Sequence, residues 1–577
     1  MGLLNSALHI GRNAILGTQN ALQIVGGNVS GAASPDFTRL TPQLDPLQGT
    51  LESQGVQPGA GVALTGIRRH IDEALESRLR ITIGEVESAS VQRDALSRLE
   101  MLFDDASGTG LGTQIETFLH SFDDLSNSPE DPATRNLVVA AGEQLAESIR
   151  GLRTQLARLG EESDQRVEDL VKQADGIAEQ IAELNEAITT AEGSAPGEAT
   201  GLRDRRDGLL RELSELFSVS VRIQPDGSMN VYIGSETLIQ GNRNRPLISV
   251  REVTSEGVRT SVRFGDTDAS VSVRGGQLGG VIASRDSLGL DQIETLDELA
   301  RAIIQDVNRI HADGQGQQGI RSLIGSSAVV SPSAVLNDSS AGLAFPPVNG
   351  SFFITVADDS TATPRAFRID VDLDGVGDDD ATLESLVAQI NSTTVGVTAR
   401  VTADNRLAID ADAGFSFTFG HDGQNAQPDT SGVLAALGVN TFFTGRDARD
   451  IGVHELILSE PMALASAASF LSGDGSIASR IAALDNQPSG RLGEVSLLEF
   501  YNAISTTVAV AASNMDTELD AARAVNLSLQ AQRERVSGVN LDEEAISLIK
   551  FQRAFESAAR FVRVVDDMIS ELISLIR

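Results

Sequence analysis

The chain closes on SGVNLDEEAISLIKFQRAFESAARFVRVVDDMISELISLIR, residues 537–577, and this stretch constrains the fold more than any other. Leu541, Leu548, Phe555, Val562, Ile569 and Ile576 stand seven apart and are all apolar. Phe551, Ala558, Val565 and Leu572 repeat the period three residues on. Two such series make the seam of a coiled coil, so this segment is predicted to be one long helix that needs a partner along its length. Glu543, Glu544, Lys550, Arg553, Glu556, Arg560, Arg563, Asp567 and Glu571 occupy the other faces, which read as solvated or partner-facing. The seam alone fits either a helix packed on its own domain or one that joins subunits.

The first thirty residues carry a second seam. Leu8, Ile15, Leu22 and Val29 stand seven apart, with Leu4, Gly11, Thr18 and Val25 offset by four. Gly11, Gly17, Gly26 and Gly27 each cost roughly 1 kcal/mol in a helix interior, and Gly11 and Thr18 read as weak points of the seam. A helix this poor is stabilised by packing rather than by propensity. The C-terminal seam is the obvious cover, in the same chain or in a neighbouring copy.

The chain has 577 residues, room for about three or four domains. Its formal net charge of −36 argues against nucleic acid and against an anionic membrane surface. Cysteine is absent, which removes disulfides, thiolate metal sites and a Cys nucleophile. No basic-then-apolar leader opens the chain and no apolar run approaches the roughly 20 residues that span a bilayer. The expectation is a protein without membrane insertion, either cytoplasmic or exported without a cleaved signal.

Along the chain the hydrophobic period alternates between helix and strand. Ile71 to Phe103 and Gly112 to Leu125 read as helices. A helix of close to sixty residues follows SNSPEDPATRN, with a skip near Ser163 where it could break, and LRDRRDGLLRELSELF returns beside it. SVSVRIQPDGSMNVYIG is a hairpin turning at Asp226-Gly227. GGQLGG, residues 275–280, reads as a flexible joint into a helix that ends near Ala312. A second strand-rich block precedes a helical C-terminal section. The fold class expected is α+β multidomain, an elongated helical stem with inserted β-rich domains. The domains expected are an assembly domain from 1–60 and 500–577, a helical bundle from 61–217, 278–324 and 461–499, and β-rich segments at 218–277 and 325–460.

Catalytic chemistry is not legible. The six histidines are scattered singly, and no P-loop, dinucleotide fingerprint or nucleophile elbow is present. No cofactor is expected. Asp370, Asp372 and Asp374 precede Gly375 like the first half of an EF-hand calcium loop, but position twelve falls on Ala381. The alternative is a strand running into an acidic turn.

With both terminal seams in hand, the chain resembles the flagellar hook-associated protein 1 family of axial flagellar proteins. SGVNLDEE at the head of the last helix carries the most specific likeness, and RVEDLVKQADGIAEQIAELNEAI, LDELARAIIQDVNRIHADG and LAALGVNTFFTG add to it. NVSGAASPDFTR stands where axial proteins have an NIANxxTPGY-like segment, keeping Asn28, Pro35 and an aromatic at Phe37. The resemblance implies a structural, non-enzymatic adaptor of the hook–filament junction. It also implies terminal helices that are loose in the monomer and ordered in the polymer. The implied partners are other copies of itself, the hook protein, a second junction protein towards the filament, and an export chaperone on the C-terminal helix. The implied location is the extracellular flagellum, reached through type III export. Alternatives are another axial subunit (hook, rod or flagellin-like) or a secreted calcium-binding adhesin.

Overall fold

Both terminal seams are helices, and the period changes read from the sequence mark the elements between them. The computed structural model describes residues 2–576 apart from 35–36, 48–58, 105–107, 109, 194–198, 255–256, 361–363, 378, 422–424, 470 and 472. The chain begins with α1 (Gly2–Gly31), β1 (Leu40–Pro46), β2 (Val62–Arg69), α2 (Glu73–Leu102), α3 (Leu111–Asn127), α4 (Pro132–Glu192) and α5 (Thr200–Leu216). Next come β3 (Ser220–Ile223), β4 (Met229–Ile233), β5 (Glu236–Gln240), β6 (Arg243–Asn244), β7 (Leu247–Thr254), β8 (Gly257–Phe264), α6 (Gly276–Ala283) and α7 (Asp291–His311). The outer strands are β9 (Ser322–Ile324), β10 (Gly350–Asp358), β11 (Pro364–Val371), β12 (Val397–Val401), β13 (Leu407–Ala411) and β14 (Phe415–Phe419), with α8 (Leu383–Thr393) among them. The chain ends with α9 (Val433–Ala436), β15 (Phe443–Thr444), β16 (Gly452–Val453), α10 (Glu455–Ser459), α11 (Ser476–Ala482), α12 (Leu497–Ser537) and α13 (Leu541–Ile576). Long helices with β-rich insertions make this the α+β class expected. α4 runs unbroken for 61 residues, through the skip at Ser163.

The chain divides into two compact units. The first comprises Met1–Ala95, Glu162–Arg285 and Ser513–Arg577. Its core is built from Val167, Leu170, Val171, Ala174 and Ile181 of α4, Leu209, Leu210 and Leu213 of α5, and Val231, Ile239 and Phe264 of the strands. The antiparallel sheet β3-β4-β5-β6 forms as the alternating pattern requires, and Gly227 takes the left-handed conformation at its first turn. Buried Asn185 of α4 ties helix to sheet. Its Nδ2 donates to the Met229 and Gly241 carbonyls, and its Oδ1 accepts from Met229 N–H and Arg206.

The flexible joint expected at GGQLGG is corrected: it is a tightly packed entry into α6. A Cβ on Gly276, whose φ is 62°, would lie 2.3 Å from the Leu216 carbonyl carbon, and one on Gly280 would lie 2.8 Å from the Ser88 oxygen. Glycine serves close backbone approach here, not mobility.

The second unit comprises Leu96–Glu161 and Asp286–Ala512. Phe118 and Phe122 of α3 pack edge-on or tilted against Phe442 and Phe443, with ring centroids 5.2–5.7 Å apart where they meet. Above Ala312, two three-stranded sheets, β11-β10-β14 and β12-β13-β9, share a core with α8 through Phe352, Ile354, Ile390, Ile409, Phe417 and Phe419. His311 is wholly buried. Its Nδ1–H donates to the Asn440 carbonyl and its Nε2 accepts from Ala465 N–H, so the neutral ring is the one that fits. Burial pushes its pKa down to about 4.

Candidate assembly interface

The seams meet each other in one chain. α1 lies antiparallel to α13: Gly11 faces Val562 and Phe561, while Asn28, near the other end, bonds to Glu544. Both terminal helices are formed and lie side by side in this structure. The buried residues of α1 are Gly11, Gly17, Thr18, Ala21, Ile24, Val25 and Asn28. Gly11, read as a weak point, lies at the contact, and Thr18 is buried with its hydroxyl donating to the Ala14 and Ile15 carbonyls. A Cβ on Gly11 would fall 2.4 Å from Val562 Cγ2, so glycine lets the helices close. Of the other series, Leu8, Ile15 and Leu22 are half-buried along one edge and Val29 is exposed.

On α13, Val565 is buried, and Phe551, Phe555, Val562 and Ile569 are half-buried towards α1. Leu541, Leu548 and Leu572 are exposed, and the side chain of Ile576 lies outside the described residues. A further apolar stripe faces outward, on Ile546, Ile549, Val564 and Met568, while the Phe561 ring beside it lies against Gly11 of α1. Ile546 is 68% and Val564 56% exposed, within a chain of charge −36. Large exposed apolar stripes of this kind mark interaction surfaces.

Glu544 is a correction. Grouped by pattern with solvent-facing charges, it is 2% exposed and sits on the heptad series of Phe551, Ala558 and Val565. Asn28, 1% exposed, donates from Nδ2 to Glu544 Oε2 at 3.0 Å and to the Leu40 carbonyl at 2.8 Å, and its Oδ1 accepts from Leu40 N–H. Arg39 donates from Nε to Glu544 Oε1 at 2.8 Å and pairs through Nη1 with Glu543. Arg39 N–H donates to the Ser537 carbonyl. Asn540 caps α13 by accepting from Asp542 N–H at 3.0 Å. The two segments singled out in the sequence, NVSGAASPDFTR and SGVNLDEE, thus bind one another. Pro35 lies outside the described residues; Phe37 covers Gly31, where a Cβ would meet its ring at 2.4 Å. Sequence reasoning missed Arg39 and Glu544; the one available signal was an acid on a seam position.

Behind this clamp, α12 is braced. Buried Glu76 of α2 accepts from Arg533 Nε at 2.8 Å and from Arg211 Nη1 at 3.2 Å, joining α2, α5 and α12. Arg69 of β2 pairs with Asp204 and Asp207 of α5 at 2.5 and 2.6 Å. Beside Arg39, the His70 ring is held below its ordinary pKa by burial and by the Arg39 and Arg68 charges.

The acidic turn after β11 is also placed. Asp372 and Asp374 meet Asp380, with ligand oxygens within 4.8 Å of one another. Asp370 instead pairs with Arg368 at 2.8 Å. Oxygens of all three clustered carboxylates already accept backbone N–H groups of the turn, from Asp374, Val376 and Gly375. Among the described residues, no helix is long and apolar enough to cross a membrane.

Comparison with known proteins follows the same outline. A family model described as the flagellar hook-associated protein FlgK helical domain matches residues 96–323, and one described as the flagellar basal body rod FlgEFG protein C-terminal matches residues 530–575. Flagellar hook-associated protein 1 of Escherichia coli K12 is 26% identical over 588 residues, covering 99% of each chain. The protein of that name from Bacillus subtilis 168 is 21% identical, over 98% of this chain and 97% of its own. The solved structure of the flagellar hook junction protein FlgK from Burkholderia pseudomallei is 16% identical with a TM-score of 0.49, over 80% of this chain and 100% of that one.

Proposed function

Because this chain belongs to the flagellar hook-associated protein 1 family, and is a structural component of the flagellum at the hook–filament junction, we propose that its α1–α13 pair is the element through which copies join. The observation that carries this is the outward stripe of Ile546, Ile549, Val564 and Met568, apolar and uncovered in the single chain. A neighbouring copy supplies the cover, and burying each large side chain contributes roughly 1.5–3 kcal/mol. One end of the assembled ring meets the hook, and the other receives a second junction protein and then the filament. Before assembly the same amphipathic helix suits the groove of an export chaperone, and the chain leaves by the flagellar export route without a cleaved signal.

The test is complementation of a deletion strain, viewed by electron microscopy with flagellin assayed in the medium. The deletion should give hooks without filaments and shed flagellin. Ile549→Glu with Val564→Glu should fail to restore filaments while the purified protein stays folded. Normal filaments with that variant would refute the stripe as the joining surface.

A further inference from the structure

Among the described residues, the outer sheets of the second unit end on two strands. β11 closes one side of β11-β10-β14 and β12 closes one side of β12-β13-β9, while a bridge from Ile320 to Phe417 joins the two sheets between those ends. A sheet end presents a row of backbone donors and acceptors that a strand of another chain can take up. β11 carries exposed Arg365, Arg368 and Asp370, and charge along an end strand discourages such pairing. β12 is shielded by other means. Its central residue, Ala399, turns both backbone groups away from β13 and towards Asn391 in the last turn of α8. Ala399 N–H donates to Asn391 Oδ1 at 2.7 Å, and Asn391 Nδ2 donates to the Ala399 carbonyl at 2.9 Å. A primary amide sets a donor beside an acceptor, which is what a neighbouring strand would offer at that place. We propose that Asn391 is an edge plug, holding the position on β12 that the β12 strand of a second copy would otherwise take. A second copy is the fitting occupant because an antiparallel pair centred on Ala399 sets Thr398 against Arg400 of the other chain. No like charges then oppose each other, and Arg400 already has its counter-charge in Asp410 at 3.1 Å. The consequence rests on the assembly reading. Copies joined through their terminal helices hold their outer strands at a high effective concentration, where an open edge would pair sheet to sheet.

The test needs no filament. Asn391→Leu removes both hydrogen bonds and leaves the Ala399 groups open. Sedimentation of the purified full chain should then show a concentration-dependent dimer, populated about tenfold above the parent protein at equal concentration. Hydrogen exchange locates the pairing. The amides of β12 should exchange faster than in the parent protein when dilute, and should slow as concentration rises. Thr398→Lys added to Asn391→Leu should restore the monomer, because the lysine stands opposite Asp410 in its own sheet and against Arg400 of the second copy in the new pair. Asn391→Ser is the milder cut, too short to bridge both groups. It should give the same dimer more weakly, and it decides the matter alone if Asn391→Leu loses its strand signal by circular dichroism. A folded variant that stays monomeric would overturn the proposal, because the open edge would then recruit no strand. A dimer that Thr398→Lys leaves intact would overturn it too, since the copies would then meet through another surface. Loss of the fold in both variants would also overturn it, because Asn391 would then hold the outer strands together rather than shield them. Filament formation is scored separately, so failure of the assembly reading leaves this result standing.

Discussion

Gly11 and Val562 touch at a level of the α1–α13 pair where a side chain on α1 has no room, 2.4 Å separating a built Cβ from Val562 Cγ2. Gly11→Leu should therefore pry the helices apart, at a cost of about 1–3 kcal/mol. Hydrogen exchange should show faster exchange across α1 and α13, with the second unit unchanged. Gly27 is the control. Nothing lies within 4 Å of its built Cβ, so Gly27→Ala should stabilise α1 by ~0.5–1 kcal/mol. Equal effects from the two substitutions would remove the close-packing argument.

Glu76 is a buried carboxylate shared by two arginines. Glu76→Ala leaves Arg211 and Arg533 without it, and loss of one member of a buried ionic group costs about 3–5 kcal/mol. The urea midpoint of the first unit should fall accordingly. A midpoint within error of the parent protein would mean water already serves these cations.

Asp313 gives a pH dependence with a defined sign. Burial pushes its carboxyl from 3.8 up to about 6, against the pull of Asp429 N–H and Arg480. The folded state thus holds the proton more tightly than the unfolded chain does. The linked stability is full below about pH 4 and lost as pH rises through 6, roughly 3 kcal/mol in all. Asp313→Asn should flatten the stability profile of the second unit between pH 4 and 7 and be the more stable protein at pH 7. His311 acts with opposite sign: its depressed pKa makes stability full above 6.5 and lost as pH falls towards 4. A parallel shift of the whole Asp313→Asn profile would contradict the assignment.

The outward stripe of α13 separates from the inward one by substitution. Phe555→Glu and Val562→Glu strike the contact with α1 and should loosen the purified chain. Val564→Glu strikes the exposed stripe, should leave its unfolding midpoint within about 0.5 kcal/mol, and should still prevent junction assembly. Equal unfolding midpoints for Val562→Glu and Val564→Glu would erase the distinction between the faces.

Periodicity made much of this legible. The seven-residue series located α1 and α13, the period-two run with Asp226-Gly227 located β3 and β4, and 4–3 spacing carried α4 through Ser163. What pattern could not convey was depth. Gly11 looked like a flaw because a heptad rule rewards large side chains, whereas two helices in close approach reward small ones. Glu544 looked solvated because charge implies water until its donors are known, and those donors sit 516 and 505 residues away in sequence. GGQLGG looked loose for the same reason, its neighbours being Leu216 and Ser88.

The Asn28–Glu544 bond also sets an order of events. About five hundred residues separate the end of α1 from the start of α13. During synthesis α1 leaves the ribosome long before the helix that covers it exists, and closing a loop of that length costs several kcal/mol of chain entropy. The middle of the chain must fold first and bring the ends together, so the first helix made is among the last to be finished.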